Sequence, residues 1–419
     1  MNKNIKLAVA GAVLALSATA NAGIIIPAGE WTLDINGNVN AYASSMSVDR
    51  AESVTGDGGV AGAAAKGTQK GINTGLLPAW LGFTGKTRQN DLDVEFTISI
   101  QPGVSENTYH GDGSNGIEYS NPSSTTVSRT GGAVNATVLN RQTYVSFGDK
   151  SWGSIKLGKD LGIYASDAIL NDMTLLGVGG AAHLGSGSAI NTTTGGIGTG
   201  YQYAAWKGQV AYTTPNFNGF QATVGIVNPN MFGNSGVYQD RFGMEGKASY
   251  SFATDAASGK VWVSGASYDV DLSKSDAFTS TRINAYDIGA TVNMAGFGLT
   301  GYAYDGRGNG STALGLSGLN ASGKKRDGNG GYIQATYILP TKTKVGVAYG
   351  ESKLELAQGE TVADVTTLIE SNERVTVGVY HPLTKHLNLV GEYNDIKGRA
   401  HNGNRNEYDS FSLGAILFF

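Results

Sequence analysis

The chain has 419 residues, with 34 acidic and 30 basic side chains and a formal net charge of −4. This mildly acidic balance gives no reason to expect nucleic acid as a partner. The chain contains no cysteine, which excludes disulfide bonds and thiolate metal sites. Glycine is abundant, with 62 residues, and charged residues make up only 15% of the chain, well below the usual ~25%.

The first 22 residues, "MNKNIKLAVAGAVLALSATANA", have the three parts of a secretory signal peptide. Lys3 and Lys6 precede an apolar stretch over 7–18, and small residues follow at 20–22. The apolar stretch is too short for a membrane-spanning helix, which needs about 20 residues. The sequence therefore predicts a cleaved signal peptide over 1–22 and a single domain over 23–419.

Alternation of apolar and polar residues is the main pattern of the remaining chain. In the last residues, "EYDSFSLGAILFF", Phe411, Leu413, Ala415, Leu417 and Phe419 occupy every second position. This period is typical of a strand with two different faces. We count sixteen such segments, at 31–45, 76–86, 92–101, 140–148, 154–159, 201–213, 220–227, 242–252, 261–270, 283–293, 299–305, 331–338, 344–352, 373–381, 387–394 and 408–419.

The connections between these segments alternate in length. Short ones such as "TRQND" and "MAGFG" alternate with long ones rich in Gly, Ser, Asn and Asp, at 46–75, 102–139, 160–200, 228–241, 271–282, 306–330, 353–372 and 395–407. An even number of alternating strands with such connections is typical of a transmembrane β-barrel. A spanning sheet must close because lipid cannot satisfy bare backbone groups. The sequence predicts an all-β, sixteen-stranded antiparallel barrel with short periplasmic turns, long extracellular loops and a water-filled lumen.

Aromatic residues fall near both ends of the segments, as in the interfacial belts of such barrels. The short-turn end has Trp31, Tyr212, Phe220, Phe252, Trp262, Phe297, Tyr337, Tyr380 and Phe419. The long-loop end has Tyr268, Tyr304, Tyr349, Tyr393 and Tyr408.

Several stretches resemble the Gram-negative general porins, nearest to the neisserial and β-proteobacterial branch. They are "GEWTLDINGNVNAY", "LGFTGK", "LNRQTYVSFGDKSWGSIKLGKD", "AYTTPNFNGFQATVGI" and the terminal Phe. The resemblance implies a homotrimer in the outer membrane of a Gram-negative bacterium, surrounded by lipid and lipopolysaccharide. It also implies passive diffusion of ions and small hydrophilic solutes, and a third long loop, here 160–200, folded into the lumen as the constriction. Phe419 would then be part of the signal that the outer-membrane assembly machinery reads.

Charges of opposite sign are expected to face each other across the constriction. The loop contains Asp160, Asp167 and Asp172 and no Lys or Arg. Inward wall positions are assigned to Arg141, Lys156, Lys207, Lys247 and Arg374; periodicity leaves Arg141 ambiguous, and the resemblance favours the lumen. Where porins usually have Arg or Lys before the "LGF" segment, this chain has Trp80.

Other functions remain open as alternatives. A substrate-selective channel for a sugar or an organic anion would have a saturable lumen site, and Trp80 and Tyr42 are the only lumen aromatics that favour it. An outer-membrane enzyme or adhesin would use the barrel as an anchor, but no His/Ser or carboxylate cluster indicates catalysis. The five histidines have no metal-ligand spacing. The sequence therefore predicts a channel without enzymatic activity, cofactor or metal.

Overall fold

The computed structural model describes residues 23–55, 66–104, 138–180, 192–229, 237–238, 241–274 and 277–419. The signal peptide expected over 1–22 lies outside the described residues. No helix within these ranges is long and apolar enough to cross a membrane.

Sixteen strands form the wall of a barrel within the described ranges, as the sequence predicts. They are β1 (Trp31–Ala51), β2 (Trp80–Gln89), β3 (Leu92–Pro102), β4 (Val138–Asp149), β5 (Gly153–Leu161), β6 (Trp206–Thr213), β7 (Phe220–Val227), β8 (Gly243–Ala253), β9 (Ala257–Lys274), β10 (Ala277–Met294), β11 (Phe297–Arg307), β12 (Asp327–Ile338), β13 (Lys344–Leu354), β14 (Ile369–Pro382), β15 (Leu387–Ala400) and β16 (Arg405–Phe418). Short strands at Ile24–Ala28, Gly67–Asn73 and Val237–Tyr238 pair with wall strands.

The sheet closes on itself. Every consecutive pair of wall strands is antiparallel, and β16 pairs with β1. Beyond β16, the Phe419 N–H donates to the Gly37 carbonyl at 3.1 Å, and the Gly37 N–H donates to the Phe419 carbonyl at 2.8 Å. The last strand therefore has no free edge, because its partner is the first strand.

The two ends of the barrel differ in their connections. One end, the short-turn end, has residues 90–91, 150–152, 214–219, 254–256, 295–296, 339–343 and 383–386 between strands. At the first of these turns Asn90 and Asp91 have φ of 49° and 62°, the left-handed pair of a type I′ hairpin. The opposite, long-loop end differs from the prediction in several places. In the predicted loop 46–75, β1 continues to Ala51 and Gly67–Asn73 pairs with it. Much of 271–282 and 395–407 extends strands β9, β10, β15 and β16 instead of forming loops.

The outer face of the wall is apolar, as predicted. On β16, Phe411, Leu413 and Leu417 are exposed, whereas the intervening Ser410 and Ser412 are buried. Outward aromatic residues at the two ends include Tyr212, Phe220 and Phe297 on one side and Tyr349 and Tyr393 on the other. This surface fits a lipid environment, in which apolar side chains face outward from a barrel.

Part of the inner face is a packed core, which the sequence did not indicate. The belt assignment is wrong for Trp262, Tyr268, Tyr304, Tyr380 and Tyr408, which are at most 4% exposed and point inward. These side chains and inward Met46, Ile396, Ile416 and Phe418 belong to buried clusters that also contain residues of the chain segment 162–205, which joins β5 to β6. We call this segment the infolded loop; it contains helix α1 (Ser166–Asn171) and a 3₁₀ turn (Met173–Leu176). The third long loop therefore folds into the lumen, as the sequence analysis expected.

Candidate functional site

The infolded loop is fixed to the wall first by Glu245 on β8. The Glu245 carboxylate accepts hydrogen bonds from the backbone N–H groups of Ile163 and Tyr164 at 2.7 and 3.0 Å. Its other oxygen accepts from the Lys207 ammonium at 2.7 Å and from the Tyr268 hydroxyl. The side chains of Lys207 and Glu245 are 3% and 0% exposed, so Lys207, which was expected in the pore wall, instead holds the start of the loop.

Asp167, at the start of α1, makes the second anchor. Its carboxylate pairs with the ammonium groups of Lys247 at 3.2 Å and of Lys260, and Lys247 also donates to the Ser166 hydroxyl. Burial alone would raise the pKa of the Asp167 carboxyl, but the two ammonium groups outweigh it, so its pKa lies below the ordinary value. Asp167 is therefore a charged group held against the wall.

Asp172 makes the third anchor, at the junction of α1 and the 3₁₀ turn. It lies 3.6 Å from the Arg374 guanidinium, and the two side chains are 1% and 2% exposed. The same carboxylate accepts from the Thr174 N–H at 2.9 Å, as a cap of the 3₁₀ turn, and from the Tyr201 hydroxyl at 2.8 Å. Asp172 and Arg374 thus join the loop to β14 and are hidden from an aqueous lumen.

A fourth anchor, Glu392 on β15, was not predicted. It accepts from the backbone N–H groups of Val178 and Gly179 at 2.9 and 2.8 Å and from the Tyr380 hydroxyl at 2.6 Å. Glu392 and Glu245 share one sequence signal, since each is an acidic residue at an inward position of an alternating strand. That signal indicates an inward carboxylate, but it does not indicate which loop atoms the carboxylate binds.

A cavity of about 850 Å³ remains between the infolded loop and strands β3 to β8. Its loop side has an apolar patch of Ile163, Ile169, Leu170, Leu175 and Ile197, beside the hydroxyl groups of Ser166, Thr192, Thr193 and Thr194. Leu76 and Leu77, from the segment before β2, extend the apolar patch. Its wall side is polar and includes Gln101, Arg141, Gln142, Lys156, Asp160, Gln209, Gln221, Thr223 and Lys247. Neither Asp167 nor Asp172 is among the described residues that line this cavity, but Lys247, which lines it, is paired with Asp167.

A second cavity of about 820 Å³ continues toward the short-turn end. Both cavities are lined by Ser146, Ser154 and Gln221, and the second also reaches Asp149 and Asn216 at the short turns. The two spaces together form a polar path from the infolded loop to that mouth of the barrel.

Arg141 reaches the cavity because of a β-bulge in β4. Ser99 of β3 pairs with Gln142, and the next residue, Ile100, pairs with Asn140, so Arg141 has no opposite residue. A bulge of this kind allows neighbouring residues to share one face, and Arg141 and Gln142 both line the cavity. This irregularity explains why simple alternation left the direction of Arg141 ambiguous.

The Arg141 guanidinium lies between two indole rings. Its central carbon is 4.6 Å from the ring centroid of Trp80 and 4.3 Å from that of Trp206, within the range of cation–π attraction. Its Nη1 donates to Gln142 Oε1 at 2.8 Å. Trp80 stands where a basic residue was expected. Its ring instead helps to orient the guanidinium of Arg141, which belongs to β4.

Lys156 and Asp160 lie on β5, on the wall side of the cavity. Their side chains form an ion pair, and Asp160 also accepts from Gln142 Nε2 at 2.9 Å. Lys156 lies 4.7 Å from the ring centroid of Tyr144. The sequence analysis placed Asp160 on the loop, but it is still within β5, so its pairing with Lys156 runs along the wall.

Comparisons with known proteins agree with this architecture. A family model described as Gram-negative porin matches residues 7–401. Among solved structures, the outer membrane channel DcaP of Acinetobacter baumannii has a TM-score of 0.66 and 15% identity over 95% of this chain and 100% of that chain. OmpF of Salmonella typhi, in complex with daunomycin, has a TM-score of 0.54 and 13% identity over 94% and 100%. The trimer form of OmpT of Vibrio cholerae has a TM-score of 0.53 and 10% identity over 93% and 99%.

A search of curated proteins found no match. The solved structures are too distant in sequence to show more than the shared barrel, whereas the family model covers nearly the whole chain. This chain therefore belongs to the Gram-negative porin family and forms a channel in the outer membrane.

Proposed function

We propose that this porin is a general diffusion channel through which ions and small hydrophilic solutes pass without energy input, with a preference for anions. The observation that carries the proposal is the charge of the cavity lining. Among the described residues that line the cavity, Arg141, Lys156 and Lys247 are basic and Asp160 is the one acidic residue. Asp160 pairs with Lys156 and Asp167 pairs with Lys247, so the excess positive charge of this lining is that of Arg141.

Arg141 contributes most to this preference. Lys156 and Lys247 each have an aspartate partner, but Arg141 has no carboxylate within ion-pair distance among the described residues. The loop residues that the structure describes in the lining have no charged side chain and supply no counter-charge. Charges beside low-dielectric walls are screened less than charges at an open surface, so an uncompensated guanidinium attracts anions and repels cations.

Reversal potentials in a planar bilayer with a potassium chloride gradient test this proposal. The Arg141→Gln variant should move the reversal potential toward the cation side, and Arg141→Glu should move it further. The Arg282→Gln variant is a matched control, since Arg282 is an exposed guanidinium paired with Asp269 on the long extensions of β9 and β10. Equal reversal potentials for the wild type and both Arg141 variants would contradict the proposal.

We also propose that the channel assembles as a homotrimer and contacts outer-membrane lipid and lipopolysaccharide. Small outward residues on β1, Gly37, Ala41 and Ala43, favour close approach of a neighbouring barrel. A solved neighbour, OmpT of Vibrio cholerae, is described in a trimer form. Phe419, next to Gly37 at the end of β16, remains the proposed signal for the assembly machinery.

A further inference from the structure

We propose that the cavity is a saturable binding site for small organic anions that combine one carboxylate with an apolar body. The proposal rests on the channel function proposed above and deepens it by naming a solute class. It is carried by the division of the cavity into an apolar side on the infolded loop and a cationic side on the wall.

The cationic side has one group with free binding capacity. Arg141 donates from Nη1 to Gln142, and its buried Nε has no hydrogen-bond partner in the part of the chain that the structure describes. Among the described residues no acceptor binds Nη2, which leaves this nitrogen for a solute in the cavity that Arg141 lines. A guanidinium binds a carboxylate through directed N–H donors, and here Trp80 and Trp206 already fix its plane.

The apolar side suits a hydrocarbon or aromatic body. Leu170 of α1 is 41% exposed although it lies inside the barrel, and Leu77, Ile169 and Ile197 line the same cavity. The wall strands that line the cavity present mostly polar side chains to this apolar patch. A solute that covers Leu170 and places its carboxylate at Arg141 satisfies both sides.

The size of the cavity agrees with such a solute. Pockets for small organic ligands measure about 300–1,000 Å³, and this cavity is about 850 Å³. Sugars are a poorer match, because one face of each indole ring, Trp80 and Trp206, is already covered by the Arg141 guanidinium. Simple inorganic anions match only the cationic side.

Three probe molecules separate these requirements in single-channel recordings. Benzoate has both the carboxylate and the apolar body, acetate has only the carboxylate, and benzamide has the ring without the charge. Benzoate should reduce the chloride current saturably, at a concentration about tenfold lower than acetate, because burial of a ring contributes about that factor or more. It should also block at a lower concentration than benzamide, which lacks the carboxylate that a guanidinium binds. Block by acetate and benzoate at equal concentrations would overturn the proposal.

Variants identify the two sides of the site. Leu170→Ser should raise the half-blocking concentration of benzoate about tenfold, and Arg141→Gln should abolish block by benzoate. Leu383→Ser is the matched control, since Leu383 is an exposed leucine in a short turn, and it should leave benzoate block unchanged. Benzoate block that persists in both the Leu170 and the Arg141 variants would place the site elsewhere and overturn the proposal.

The reversal potential of the wild type separates failure of this proposal from failure of the proposed function. Anion preference without benzoate block would overturn the binding site and leave the diffusion channel intact. Absence of ion conduction by folded protein would overturn both.

Discussion

Replacing Glu245 by glutamine should loosen the point at which the infolded loop leaves β5. Glu245 holds two loop N–H groups and the ammonium of Lys207, all away from water. The variant keeps the shape of the side chain and one acceptor oxygen, but it leaves the Lys207 ammonium buried without its counter-charge. The Tyr268 hydroxyl, which donates to the carboxylate, loses its charged acceptor as well.

The expected loss of stability follows from the burial of the Glu245–Lys207 ion pair. Removing one partner of a buried ion pair costs about 3–5 kcal/mol, because the remaining charge stays desolvated. We expect about 3 kcal/mol for Glu245→Gln, at the lower end of that range, since the amide oxygen can still accept from the loop. Replacing Lys207 by methionine in the same chain removes the stranded charge. The double variant should therefore be more stable than the sum of the two single losses predicts, by at least about 1 kcal/mol.

Chemical denaturation of the barrel in lipid vesicles, followed by the fluorescence of its five tryptophans, measures the free energy of unfolding. Arg282→Gln is the control, because it breaks an exposed pair with Asp269 and should change the stability little. If the losses of the two single variants add to the loss of the double variant within ~0.5 kcal/mol, then Glu245 and Lys207 do not act as a pair and the reasoning about the anchor is refuted.

Three further predictions concern the loop, the chain end and the assembly. The pKa of Asp167 lies below its ordinary value, so its carboxylate stabilises the docked loop above the unfolded pKa of about 3.9 and loses this contribution as the pH falls through the folded pKa. Current noise of the wild type should therefore increase below about pH 4, and Asp167→Asn should lack this acid-dependent component; equal pH profiles would contradict it. Phe419→Asp should remove heat-modifiable barrel from the outer-membrane fraction, whereas Phe419→Tyr should keep it, and normal levels of the Asp variant would refute the assembly role. Unheated detergent extracts should run as a trimer in native electrophoresis and light scattering, and a monomer in both would exclude the trimer.

The barrel could be predicted from the sequence because the membrane leaves few alternatives. Each strand alternates apolar and polar residues, and every backbone group must find a partner within the membrane. These two requirements lead to a closed sheet, whatever the individual side chains are. For the seventh strand even the ends were predicted correctly, since the segment predicted at 220–227 is the observed Phe220–Val227. Strand ends at the long loops were less predictable. In the sequence over 271–282, "DLSKSDAFTSTR", apolar residues do not alternate with polar ones, so the pattern does not mark the extensions of β9 and β10.

The contacts of the infolded loop could not be predicted, because they depend on where the loop meets the far wall. Asp167 binds Lys260, which is 93 positions away in the chain, and no local pattern joins the two. The inward aromatic residues were misassigned because they lie near strand ends, as belt residues do. Alternation gives the observed direction, since Trp262 lies between the exposed Val261 and Val263 and Tyr380 follows the exposed Val379. Both side chains pack in the clusters of the inner wall.

The anchoring of the loop has an electrostatic consequence for the pore. The chain as a whole is acidic, with a net charge of −4, which by itself would disfavour anions. Exposed charges, however, act over only about 8 Å at physiological ionic strength, so the charges beside the path matter more than the total. Asp167 and Asp172 neutralise the wall cations Lys247 and Arg374, and neither aspartate is among the described residues that line the cavity. A loop that presented these carboxylates to the cavity would cancel the guanidinium; in the observed arrangement the acidic residue of the described lining, Asp160, is already paired with Lys156.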